Sequence, residues 1–236
     1  MAVDVSEAAD FYTTRLGIVA ARLIRARLLA FWPDLKGESV LGIGYTAPYL
    51  RLWRDQAERA IALTPAQIGA ARWPVRRPSL SCTAEEDALP FPDLSFDRVL
   101  MIHGLEQADN ARRMLREVWR VLRSDGRLLV AVPNRSSAWA YLERTPFGYG
   151  HPYSASQLGR QLNASLFSTE RRDATLYLPP FRNGLALRSA DFADRIGRHV
   201  LPGMAGVILA EARKDVAGVI PLGRVRYRRL VLVEAA

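Results

Sequence analysis

Residues 85–106 read Glu-Glu-Asp-Ala-Leu-Pro-Phe-Pro-Asp-Leu-Ser-Phe-Asp-Arg-Val-Leu-Met-Ile-His-Gly-Leu-Glu. Within them the run Phe96 to Ile102 reads as a short strand. A helix is predicted next, from Asn110 to Leu122, because Met114, Leu115, Val118 and Leu122 fall on one face. Ser124, Asp125 and Gly126 supply a turn. Leu128 to Val132 is almost wholly aliphatic, the pattern of a strand covered on both faces.

Upstream, residues 13 to 32 place Leu16, Val19, Ala20, Leu23 and Ile24 at helical spacing, with Arg15, Arg22 and Arg25 off that stripe. Pro33 ends that helix. Ser39 to Gly44 reads as a buried strand, Tyr49 to Arg59 as a helix, and Ala60 to Thr64 and Leu80 to Thr83 as further strands. Downstream, Ser154 and Gln157 have capping-box spacing ahead of Leu158 and Leu162 and predict a helix start. Strand-like runs recur at Ala174 to Leu178 and Gly206 to Ala210. Strands alternating with helices imply a mostly parallel sheet with helices on both faces. No repeat or linker divides the 236 residues, so a single domain is expected.

Composition narrows the class. One cysteine, Cys82, excludes an internal disulfide and has no paired Cys or His spacing for a metal. No apolar run approaches the roughly 20 residues that cross a bilayer. The first ten residues are acidic and do not begin like a secretory signal, so the cytoplasm is the expected compartment. The formal charge of +9 rests on Arg: only Lys36 and Lys214 are lysines. The arginines are spread along the chain, which gives little reason to expect nucleic acid. Their one dense cluster, Arg224, Arg226, Arg228 and Arg229, makes a basic tail of about residues 214–236 that could meet phosphates or an anionic membrane surface.

Gly42-Ile43-Gly44-Tyr45-Thr46-Ala47 follows a strand and precedes a helix, where glycines let the backbone turn tightly beside a cofactor. Taken alone it could be a dinucleotide fingerprint. That reading needs an acid about 20 residues on for the ribose, and the second strand instead ends at Thr64 and Pro65.

Residues 85–106, with the helix, the Ser-Asp-Gly turn and Leu-Leu-Val-Ala-Val-Pro-Asn after them, resemble the class I S-adenosylmethionine-dependent methyltransferases, and most closely the bacterial type 11 group. The resemblance covers about residues 10 to 180. It implies an α/β, Rossmann-like sheet of seven strands in the order 3-2-1-4-5-7-6, with only strand seven antiparallel. The last hairpin would join Ala174 to Leu178 with Gly206 to Ala210. A helical insertion of about residues 183–201, mixing apolar residues with arginines, would lie between them as a site cap or as a peripheral membrane or partner contact. A cap helix of about residues 12–32 would precede the sheet.

The same resemblance implies S-adenosylmethionine as cofactor, held by Gly42, Gly44, Tyr45, Thr64, Glu85 and His103. Several of these depart from the family pattern. Gly42 stands where an acid is usual, Thr46 and Pro48 replace the second and third glycines, and Thr64 replaces the ribose-binding acid. Glu85 keeps the carboxylate that contacts adenine. Losing one charged hydrogen bond would weaken binding by ~1.5 to 3 kcal/mol, about one to two decades.

Methyl transfer from a sulfonium chiefly needs positioning, exclusion of water and, for some acceptors, a base. His103, just after the fourth strand, is the first candidate base or orienting residue. His151 and Tyr153, in the loop Gly148 to Tyr153, and Tyr12, in a segment expected to fold over the cofactor, are the others. His199 reads as a helix-flanking residue. The expected function is methyl transfer to a small-molecule or lipid-like acceptor. The alternative is a non-catalytic relative that binds or scaffolds a protein partner.

Overall fold

A computed structural model of the chain describes residues 5–69, 72–74, 78–142, 144–180, 187–201 and 203–216. The cluster Arg224, Arg226, Arg228 and Arg229, Arg182 and the start of the expected insertion at 183–186 lie outside the described residues.

The first helical region is two helices, α1 (Val5–Thr13) and α2 (Arg15–Phe31). The helix expected over residues 13 to 32 is α2, and α1 precedes it as an additional helix; Thr14 separates the two by capping α2, its hydroxyl accepting from Gly17 N at 3.0 Å. Strands β1 (Ser39–Gly44), β2 (Arg59–Pro65), β3 (Ser81–Ala84) and β4 (Phe96–Ile102) follow. Between β1 and β2 the expected helix 49–59 is only a short α3 (Ala47–Leu50). Beyond it, bonds of Trp53 N to Leu50 O and Gln56 N to Trp53 O mix with Arg54 N to Leu50 O, so the chain continues as tight turns.

Helix α4 (Ala111–Val121), capped by Asn110, leads into β5 (Leu122–Pro133). The expected Ser124-Asp125-Gly126 turn is a bulge within this strand: Phe96 pairs with Leu122 and Arg98 with Arg127. Helix α5 (Ala155–Ala164) starts at Ser154 with the predicted reciprocal capping box to Gln157. Then come β6 (Phe167–Thr175), α6 (Ala190–Val200) and β7 (Val207–Lys214).

The sheet order is β3-β2-β1-β4-β5-β7-β6, with β7 antiparallel to both neighbours, as expected. The hairpin is earlier than predicted, because β6 is an edge strand and carries Ser168, Glu170, Arg171 and Arg172 rather than an apolar run. Its last residues, Ala174 and Thr175, pair with Ile208 and Val207. Two cores flank the sheet. One joins α1, α2 and α3 to residues such as Leu100, Leu129 and Leu209. The other joins α4 and α5 to Leu41, Val99, Leu128 and Ile208. All parallel strands therefore present their C-terminal ends to one rim, and loops and α1 gather there.

Candidate active site

At that rim β1 and β4 touch. Tyr45 N donates to Ile102 O at 2.9 Å. Gly44 has φ +92°, and a Cβ there would collide with the carbonyls of Ile102 and His103. Only glycine tolerates both the turn and the approach. Gly42 is different: the Thr46 side chain and Leu50 occupy the space a Cβ would need. Thr46 therefore stands in the volume of the acid expected at position 42.

His103 follows β4 with φ +52°, an unfavourable left-handed conformation for a non-glycine residue. Its ring is fully buried. Nε2 lies 2.7 Å from the Tyr12 hydroxyl of α1, which lies 2.7 Å from the Tyr49 hydroxyl of α3. On the other side, Nδ1 is 3.3 Å from the buried Glu106 carboxylate in the turn Leu105–Gln107. A carboxylate oxygen beside Nδ1 favours the Nδ1–H tautomer, in which Nε2 accepts from Tyr12. Burial first, and then Tyr49, push the Tyr12 phenol well above its ordinary value. Burial raises Tyr49 as well. Both hydroxyls therefore stay protonated and serve as donors.

Aromatic rings seal this chain. Tyr45 stacks on Tyr12 with centroids 5.6 Å apart and planes 15° apart. Phe147 lies 4.7 Å from the His103 ring, centroid to centroid. Such packing excludes water and strengthens the polar contacts inside.

The other sequence candidates are placed differently. His151 contributes its backbone: its N–H donates to Glu106 O at 2.6 Å, while its side chain is exposed. Gly150, with φ +74°, packs so closely on the Glu106 carbonyl that a Cβ would clash. Tyr153 is half-buried and tied by backbone bonds to Pro133 and Arg135. Burial, then the Glu106 charge, raise its phenol. Thr64 is buried at the end of β2, opposite Thr83. Glu85 is exposed in the turn after β3. His199 is on α6, with Nδ1 2.9 Å from Arg195 O.

Sequence reasoning passed over Tyr49, Glu106 and the buried Glu86. Glu86 accepts from Asn110 N at 2.7 Å and Gln67 Nε2 at 2.6 Å, which fixes the start of α4 and the loop after β2. An acid three residues after His103 was the available signal for Glu106. Tyr49 gave none, because its role depends on where α1 lies.

The residues present fit a polar cofactor at this rim. The glycine approach at Gly44 supports this, as do two buried polar atoms with no hydrogen-bond partner among the described residues, Thr46 Oγ1 and Glu106 Oε2. Atoms of this kind ordinarily find a ligand or water.

The sheet order, with β7 antiparallel, is the fold of solved S-adenosylmethionine-dependent methyltransferases. Residues 38–130 match the family described as a methyltransferase domain. Over 95 residues, 38% of this chain, it is 37% identical to malonyl-(acyl-carrier protein) O-methyltransferase of Halorhodospira halophila. Over 106 residues, 40% of this chain, it is 32% identical to the ubiquinone/menaquinone biosynthesis C-methyltransferase UbiE of Pasteurella multocida. These alignments span 32% and 40% of the relatives' own lengths. A solved S-adenosylmethionine-dependent methyltransferase from Thermotoga maritima superposes with a TM-score of 0.60 at 17% identity, covering 89% of this chain and 96% of that one.

Proposed function

We propose that the protein transfers a methyl group from S-adenosylmethionine to a small-molecule or lipid-like acceptor, with the acceptor's proton relayed through the Tyr12 hydroxyl to His103. The observation that carries this reading is the buried contact chain from Tyr12 through His103 to Glu106 at the end of β4.

Gly42, Gly44, Tyr45, Thr64, Glu85 and His103 would hold the cofactor, through backbone groups at the two glycines and side chains elsewhere. When bound, it supplies a methyl group already activated on a sulfonium. The chain's own residues do the rest. Tyr12 fixes the ring through its bond to His103 Nε2, and its hydroxyl gives its proton to that nitrogen as it accepts the acceptor's proton. As His103 takes a proton, the Glu106 carboxylate beside Nδ1 stabilises the imidazolium. The aromatic lid of Tyr12, Tyr45 and Phe147 keeps water away from the reacting centre.

A lipid-like acceptor is supported by the relatives' printed names, which include quinone biosynthesis. Exposed Phe192, Ile196 and Val200 along α6 support a peripheral apolar contact. No helix among the described residues is long and apolar enough to cross a membrane.

Calorimetric titration with S-adenosylhomocysteine tests the reading. Heat and thermal stabilisation at micromolar to millimolar ligand are expected. Their absence at millimolar ligand overturns methyl transfer and leaves a binding or scaffolding domain.

A further inference from the structure

Beside the rim, a cleft of about 670 Å³ opens between α1, α2, α3 and the Trp73-Pro74 segment. Of the residues assigned above to cofactor and chemistry, Tyr12 and Tyr45 line it; Gly42, Gly44, Thr64, Glu85 and His103 do not. Its volume suits a ligand of drug-like size. Its apolar lining includes Ile18, Ala21, Ala47 and Trp73. Arg25, Arg51 and Arg54 line it as well.

These arginines are not equivalent. Arg54 is already neutralised: its Nε and Nη2 donate to the two Asp55 carboxylate oxygens at 2.9 and 2.8 Å. Arg25 and Arg51 have no carboxylate partner among the described residues. The Nε of Arg25 donates to Pro48 O at 2.8 Å, which fixes the guanidinium at the cleft wall. Burial first, and then the positive charge of Arg51, lower its pKa, so the Arg25 guanidinium is partly desolvated and senses a second cation of the same cleft. Two guanidiniums lining one cleft without carboxylate partners match an acceptor that carries about two negative charges and several oxygens, as a phosphate monoester does. A carboxylate would neutralise only one of them.

We infer that this cleft binds a phosphate monoester on the methyl acceptor, gripped by Arg25 and Arg51 with the acceptor's body against Trp73 and Tyr45. The inference rests on the methyl-transfer reading for the word acceptor, and the anion site stands on its own geometry. Tyr12 lines both the cleft and the His103 chain, so a molecule anchored there lies next to the proposed base. The phosphate could belong to a soluble metabolite or to a lipid headgroup.

Calorimetry on the full chain with phenyl phosphate, and with benzoate as the singly charged comparison, tests it. Phenyl phosphate should bind, with benzoate about tenfold weaker or more. Arg25→Gln and Arg51→Gln should each reduce phenyl phosphate affinity about tenfold, and Arg54→Gln less than about threefold. Melting curves check that each variant is folded; Arg51 is exposed, so its variant should melt as the parent does. Sedimentation with phosphatidylcholine vesicles containing phosphatidic acid separates the sources. Pelleting that phenyl phosphate competes away indicates a lipid headgroup, and phenyl phosphate binding without pelleting indicates a soluble acceptor. No phenyl phosphate binding at millimolar concentration, or binding undiminished in the Arg25→Gln, Arg51→Gln double variant, overturns the inference. S-adenosylhomocysteine is titrated in parallel. If it binds and phenyl phosphate does not, the cleft assignment falls and methyl transfer stands; the reverse result removes methyl transfer and keeps the anion site.

Discussion

Tyr12 and His103, 91 residues apart in sequence, meet through Oη and Nε2 at 2.7 Å. Through this contact α1 is fastened over the end of β4 and the His103 ring is held in one orientation. Tyr12→Phe removes the bond and leaves His103 Nε2 and the Tyr49 hydroxyl short of a partner. The variant should lose ~1 to 3 kcal/mol of stability in urea denaturation. If His103 is the base, methyl transfer by His103→Asn should fall about 10² to 10⁴-fold at saturating cofactor. Tyrosinate absorbance provides a check on the site itself. The Tyr12 and Tyr49 phenols should ionise only above the ordinary value of 10.0, because burial raises both.

Thr46 fills the space beside Gly42, so substitutions at the two positions should be strongly coupled. Gly42→Asp alone forces the acid onto Thr46 and Leu50 and should destabilise the fold by ~1 to 3 kcal/mol. Combined with Thr46→Gly, the carboxylate has room. The double variant should recover most of that stability and bind S-adenosylhomocysteine about tenfold more tightly than the parent. Additive effects in melting and titration would show that the two side chains do not compete for one volume.

Adjacent acids after β3 should behave oppositely. Glu86 is buried and accepts from Asn110 N and Gln67 Nε2, so Glu86→Ala leaves buried donors unpaired and should lose ~2 to 4 kcal/mol in chemical denaturation. Glu85 is exposed, and Glu85→Ala should change stability by less than ~0.5 kcal/mol. Its effect should be read instead in S-adenosylhomocysteine affinity, as a loss of about tenfold.

Acid sensitivity should trace in part to Glu117. Hydrogen bonds from Arg120, and more weakly from Leu89 N, hold its carboxyl below the ordinary value of 4.5. The unfolded chain therefore binds this proton more tightly than the folded one. The stabilisation is complete above about pH 4.5 and is lost as pH falls through the lower folded value. Urea midpoints at pH 7 and pH 3 should converge more for Glu117→Gln than for the parent, by about 1 kcal/mol.

Much of the architecture was legible in the chain itself. Leu128 to Val132 and Ser39 to Gly44 are fully buried strands because their side chains are apolar on both faces, and the Ser154–Gln157 capping box is a local motif that needs no tertiary partner. The misplaced elements were those whose surroundings decide them. The edge strand β6 looks polar because it has only one strand neighbour. The turns after α3 replace a helix within a segment that buries Trp53 and returns the chain to β2.

Sequence by itself determined the order of strands and helices, the Gly42–Thr46 loop after β1 and His103 at the end of β4, since periodicity, caps and glycine punctuation act over a few residues. Only the tertiary structure decided that Tyr12 and Glu106 flank His103, that Thr46 occupies the volume beside Gly42, and that Arg25 and Arg51 line one cleft. Those relationships join residues of different elements. They depend on the angle at which α1 and α2 pack over the strand ends, an outcome of side-chain packing summed over the whole core.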